Sequence, residues 1–214
     1  MSSAADAALV IVLLLNFFVL GSSRIRSIIY TVAGQGILLG VLPMLVHSGI
    51  GFREAAVSAG AIALKAVVMP RMLIRAMTDL PIRREIQPVV GFRTSLLLGA
   101  VATGASLALA GRLPTVDATA GVHLLVPAAF ATILTGFIVI TTRIKAITQV
   151  LGYLVLENGV YIFGLLLLDA MPFLVEVGVL LDLFVAIFIM GIIINHVSRE
   201  FASVSTERLS TLKE

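Results

Sequence analysis

The chain has 214 residues, of which 59% are hydrophobic and only 13% charged, with a formal net charge of +3 and a mean hydropathy of +1.12. An average soluble domain is about a quarter charged, and a chain with this little charge cannot hydrate a water-facing surface. With no cysteine in the sequence, disulfides, thiolate-held iron–sulfur clusters and a thiolate-bound nickel centre are excluded from this chain, so any associated redox chemistry belongs to a partner.

The amino-terminal "MSSAADAALVIVLLLNFFVL" lacks the basic flank of a cleaved signal peptide and reads as a retained first helix. Apolar runs separated by short polar or Pro/Gly breaks predict spans at 4–22, 26–48, 54–77, 90–111, 120–142, 147–169 and 174–197. Each is long enough to cross a hydrocarbon core of about 30 Å as a helix and too long for a barrel strand. The expected fold is therefore an all-α integral membrane protein of about seven transmembrane helices.

Orientation follows from the basic residues. Arg24, Arg26, Arg71, Arg75, Arg83, Arg84, Arg93, Arg143, Lys145, Arg199, Arg208 and Lys213 fall in the odd-numbered loops and the tail. Only Arg53 and Arg112 fall on the other side. That asymmetry predicts an external amino terminus and a cytoplasmic carboxyl terminus. The longest loop on the basic side, "DLPIRREIQPVVGFR", reads as an orientation signal attracted to anionic lipid, or as a docking surface for a cytoplasmic partner. Because these basic residues are topology signals, nucleic acid is not implied.

Polar residues inside the spans narrow the function. In the first two spans Asn16 and Gln35 read as interhelical hydrogen-bonding residues, and "GILLG" at 36–40 as a small-residue helix contact. In the third, Lys65 is followed by Pro70, which cannot bond back to the carbonyl of Ala66 and should distort the helix there. In the fifth, Pro127 should free the carbonyl of His123, itself a proton carrier or an ordinary polar packing residue. The sixth carries "GYLVLENGVYIFG", with Glu157 roughly 15 Å deep at 1.5 Å per residue. Asp182 in the seventh is roughly 12 Å deep by the same rule.

Glu157, Asp182 and Lys65 thus approach the membrane centre, where ionisable residues usually face a bundle interior and mark ion pathways. A static Lys–carboxylate bridge is the plainer alternative, although a buried ion pair is a poor source of stability. Tyr153 and Tyr161 lie four residues either side of Glu157 and share its helical face. Each phenol could donate to the carboxylate or simply pack. Glu176 lies near the outer end of the last span. No catalytic triad, nucleotide loop or metal-binding cluster is present.

The stretch "GYLVLENGVYIFGLLLL" followed by "LVEVGVLLDLFVAIFIMGIII" resembles the E subunit of hydrogenase-4 and formate hydrogenlyase-type complexes. The residues that carry the resemblance are Gly152, Tyr153, Glu157, Asn158 and Gly159, then Val175, Glu176, Gly178 and Asp182, with Lys65 and Pro70 of "LKAVVMP" and the closing "LSTLKE". The last three spans also resemble the K subunit of respiratory complex I and the C subunit of multisubunit cation/proton antiporters. Glu157 corresponds to the first of the K subunit's two intramembrane glutamates, and Asp182 only approximately to the second.

The resemblance divides the chain into a five-span part at 1–142, a K-subunit-like part at 120–197 that overlaps it, and a cytoplasmic tail at 198–214. It implies a non-catalytic membrane-arm subunit in a prokaryotic inner membrane. Expected partners are antiporter-like membrane subunits, a complex I-like membrane anchor and peripheral hydrogenase-like subunits holding the Ni–Fe and iron–sulfur centres. No cofactor is expected in this chain. Glu157, Lys65 and Asp182 would form a proton or sodium pathway supported by Tyr153, Tyr161, Asn158, His123 and Glu176. An antiporter assembly without a redox arm and an inert scaffold stay open. A seven-helix chromophore protein using Lys65 as a Schiff base is disfavoured, because Trp is absent and the last span has no lysine.

Overall fold

The structure is a computed structural model that describes residues 2–46, 59–60, 62–78, 89–112 and 122–166. Among these, every regular element is helical. Helices α1 (Ser2–Gly21) and α2 (Ile25–Val46) are followed by a π-helical turn at Ala63–Val68, which runs into α3 (Met69–Thr78). Then come α4 (Phe92–Ala110), α5 (Leu125–Thr142) and α6 (Ala146–Leu165).

Among the described residues four segments, Ser3–Gly21, Ile25–Leu45, Phe92–Ala110 and Leu125–Thr142, are long and apolar enough to cross a membrane. The 20 residues of α6 match α1 in length, with Glu157 and Asn158 in the middle. Leu14, Phe18, Leu97, Val101 and Phe137 point outward, so these helices are apolar on their outer faces as well as inside, the pattern of helices surrounded by lipid. This is a membrane protein. The seventh expected span, with Glu176 and Asp182, lies outside the described residues.

Connectivity fixes which helix ends meet. At one end the Asp6 carboxylate accepts the Leu124 N–H at 3.2 Å. At the other, Arg143 reaches the Leu20 carbonyl and the Val89 N–H bonds to the Thr142 carbonyl at 2.9 Å. Helices α1 and α5 therefore run parallel, and α4 runs against both. Helices α5 and α6 form an antiparallel hairpin, because Gly136, Gly152 and Gly159 let the backbones approach. A Cβ on Gly136 would lie 2.6 Å from the Leu156 nitrogen, and one on Gly159 would lie 2.6 Å from the Ile133 nitrogen.

The small-residue contact expected at 36–40 forms. A Cβ on Gly36 would sit 2.9 Å from the Lys65 Cβ, and one on Gly40 would collide with Ile62. These two glycines seat the third segment against α2 and set how close Lys65 comes to the bundle centre.

Two expected spans are corrected locally. The third is not a uniform α-helix: Ala63–Val68 is π-helical, and the Met69 N–H donates to the carbonyl of Leu64, five residues back. Pro70 has no N–H to give Ala66, and the wider turn just before it absorbs that gap. The fifth begins at Leu125 rather than near 120. Pro127 is thus in the first turn, where backbone N–H groups have no intrahelical partner anyway, and it releases no mid-helix carbonyl.

The buried apolar residues fall into two clusters. One contains Val19, Leu20, Ile28, Val32, Leu73, Val139, Leu151 and Val155; the other contains Leu9, Val12, Leu39, Leu42, Leu125, Ala129 and Ile162. Along α1, α2, α5 and α6 the chain passes from one cluster to the other through a buried polar residue: Asn16, Gln35, Thr132 and Thr135, and Glu157 and Asn158. The core is thus two apolar halves with a polar layer between them.

Candidate functional site: a polar layer at mid-depth

A hydrogen-bonded ladder crosses that layer. Lys65 Nζ donates to Asn158 Oδ1 at 3.5 Å. Asn158 Nδ2 donates to Gln35 Oε1 at 3.4 Å. Gln35 Nε2 in turn donates to Asn16 Oδ1 at 2.9 Å and to the Val12 carbonyl at 3.4 Å, and Asn16 Nδ2 donates to Thr132 Oγ1 at 2.8 Å. The contacts join α1, α2, the π-helical turn, α5 and α6. They are tight at the Asn16 end and long at the Lys65 end, close to the limit for a hydrogen bond.

Lys65 is half-buried, and its Nζ lies 5.4 Å from the centroid of the Tyr161 ring, within range of a cation–π attraction. Its place on the π-helical turn matters, because such turns shift the direction in which a side chain leaves a helix and recur at functional sites. Glu157 precedes Asn158 and is 5% exposed. Tyr153 is half-buried one turn before it. The structure therefore brings together Lys65, Asn158 and Tyr161 of the expected set and buries Glu157 at the same depth. His123 is different: it lies in the turn before α5 and is exposed, at the Asp6 end of the bundle and away from the polar layer. That end position follows from the late start of α5.

Two further contacts, one in the layer and one at a helix end, involve residue types that look ordinary in the sequence. Thr132 ends the ladder, yet threonine in an apolar helix usually satisfies its hydroxyl on its own helix, as Thr141 and Thr142 do here. Arg143 read as a loop charge. It is in fact 2% exposed. Its Nη2 donates to the Leu20 carbonyl at 2.8 Å, and its guanidinium lies 5.0 Å from the centroid of the Phe92 ring. Burial lowers the pKa of Arg143, but an arginine starts high enough to stay charged. It caps the carboxyl end of α1, where cations are favoured.

Among the described residues no group of three or more His, Cys, Asp or Glu could hold a metal ion, and the whole chain has no cysteine. The chain itself therefore supplies no ligand set for a Ni–Fe or iron–sulfur centre.

An uncharacterized protein of Mycobacterium tuberculosis, Rv0085, is 34% identical over 195 residues, covering 89% of this chain and 87% of that protein. The chain belongs to the family of that mycobacterial protein. More distantly, hydrogenase-4 component E of Escherichia coli K12 is 25% identical over 158 residues, covering 73% of this chain and 72% of its own length. The same component of Shigella flexneri gives the same figures. No family model matches, and no solved structure does.

Proposed function

We propose that this chain is a non-catalytic membrane-arm subunit of a hydrogenase-like, complex I-related assembly, and that its polar layer takes part in redox-coupled proton (or sodium) translocation. The observation that carries the reading is the buried Glu157 beside a ladder ending in Lys65, at the depth where two apolar halves of the core part. A carboxyl group and an ammonium in one poorly screened layer respond to each other's charge, because Coulomb attraction grows as the surroundings dry. In this reading Glu157 takes a proton from water on one side and releases it to the other, while Lys65 sets how firmly it is held. Asp182 and Glu176 would extend the path, with Tyr153 and Tyr161 as hydrogen-bonding support.

The distant similarity to hydrogenase-4 component E supports the assembly. It favours antiporter-like membrane subunits, a complex I-like anchor and a peripheral arm holding the Ni–Fe and iron–sulfur centres as partners. The chain would cross the prokaryotic inner membrane about seven times, amino terminus outside and carboxyl terminus in the cytoplasm. Arg24, Arg93, Arg143 and Lys145 all gather at the Leu20 end of the bundle, which agrees with that orientation. Mild detergent extraction followed by identification of copurifying chains tests the proposal. A cysteine-rich hydrogenase-like partner is expected, whereas recovery with antiporter subunits alone would replace the redox-coupled reading with a purely ion-exchanging one.

One observation favours a scaffold role for part of the layer. Asn16, Gln35 and Thr132 hold helices together through amide and hydroxyl groups that do not titrate. Their share in the layer is structural, and the ionisable share rests on Glu157 and Lys65.

A further inference from the structure

We infer that Gln35 and Asn16 are positioning residues for the charge on Lys65: acting through Asn158, they fix which atom of that amide faces the ammonium. The inference rests on donor and acceptor chemistry. An ammonium group carries three donors and no acceptor, and a backbone carbonyl only accepts. The ladder therefore has two members of fixed polarity, Lys65 at one end and the Val12 carbonyl in the middle.

The Val12 carbonyl requires the nitrogen of Gln35 on its side, and that nitrogen also serves Asn16 Oδ1 at 2.9 Å. The Gln35 oxygen is then turned toward Asn158, which must answer with its nitrogen. Asn158 is left with its oxygen toward Lys65. Turning Gln35 or Asn158 by half a rotation would set donor against donor or acceptor against acceptor on both sides, and turning Asn16 would break its link to Gln35. In a buried layer each such mismatch leaves polar groups without compensation. At the far end Thr132 can either accept or donate, so on the α1 and α2 side the polarity is imposed by the Val12 carbonyl through Gln35 and not by Thr132. Asn158 is in this way preorganised as an oxygen acceptor for a charged lysine, by residues on α1 and α2 that do not bond to Lys65 themselves.

The inference does not depend on ion translocation. It is tested by a double-mutant cycle in the full chain reconstituted in lipid nanodiscs, reading the thermal unfolding midpoint. Gln35→Met and Lys65→Met are made singly and together. If Gln35 acts through Asn158 on Lys65, part of the loss in Gln35→Met is the weakened Lys65 contact, and that part is already missing from Lys65→Met. The double variant should then fall by less than the two single shifts combined. A control cycle of Gln35→Met with Lys145→Met, whose lysine lies outside the ladder, should be additive. If Gln35→Met does not fold, Asn16→Ser supplies the same cycle one link further away, with smaller coupling expected. Additive shifts between Lys65 and both ladder positions would overturn the inference. Coupling to Lys65 that is strong for Gln35, weaker for Asn16 and absent for Lys145 would establish it, whether or not the layer carries ions.

Discussion

Lys65 and Arg143 are two cations set among the helices by different chemistry. Arg143 sits at a helix end, fully enclosed, with one rigid donor on the Leu20 carbonyl and its face on Phe92. A guanidinium keeps its charge under almost any condition, so this contact serves as a permanent clamp on α1, α4 and α5. Lys65 sits at mid-depth on a π-helical turn, half-buried, with a long contact to a neutral amide and an aromatic face nearby. A lysine carries a compact point charge on a flexible stem in place of a rigid fork of donors. The contrast separates a cation that organises the bundle from one that can be modulated within it.

Removing the Arg143 clamp should have the largest effect. Arg143→Met should destabilise the chain by on the order of 3 kcal/mol, combining an unsatisfied Leu20 carbonyl with a lost cation–π contact. Unfolding in lipid nanodiscs measures this, and a shift no larger than that of Lys65→Met would erase the distinction. Arg143→Lys should recover only part of the loss, since an ammonium cannot stack on Phe92 while reaching the carbonyl in the same way.

Next in size is Gly36→Ala, where the added methyl meets the Lys65 Cβ at 2.9 Å. Overpacking of this kind costs about 1–3 kcal/mol. It should also push the third segment away from α2, lengthening the distance between spin labels introduced at the exposed positions Ile37 and Val67. An unchanged distance would mean that α2 does not set the position of Lys65.

The smallest expected effect is Thr132→Val, which keeps the shape of the side chain and removes one ladder acceptor. A loss of about 1 kcal/mol is expected, in keeping with interhelical hydrogen bonds in membranes. Thr132→Ser should restore most of it. A loss as large as that of Arg143→Met would mean the ladder, rather than the clamp, holds the helices.

Much of the layer was legible in the sequence, because its residues violate the apolar pattern around them. Asn16 and Gln35 stand out in apolar spans and do bond across helices. Lys65 with Pro70 announced a distorted helix, and the π-helical turn is that distortion. The "GILLG" contact also formed, since two glycines four apart on one face leave a groove for a neighbouring backbone.

What stayed hidden depended on tertiary partners with no local signature. Arg143 looks like any basic residue after an apolar run, and only the approach of Leu20 and Phe92 encloses it. Thr132 joins the ladder because Asn16 lies opposite, 116 positions earlier in the chain. His123 lies in the turn at the bundle end because α5 starts only at Leu125, a helix start being free to slip by a few residues when its first turn contains proline. The polarity of the ladder is invisible in sequence, since it follows from one backbone carbonyl, that of Val12.

In the proposed mechanism the buried carboxyl group of Glu157 carries charge rather than merely filling space. Glu157→Gln keeps its size and hydrogen bonding while removing the titratable proton. The decisive measurement is coupled ion translocation by the reconstituted whole complex, recorded together with redox turnover. Glu157→Gln complexes should assemble near normally and translocate far fewer ions per turnover, with Glu157→Asp retaining part of the activity. Assembly with wild-type translocation in Glu157→Gln would contradict that mechanism and leave Glu157 a structural polar residue.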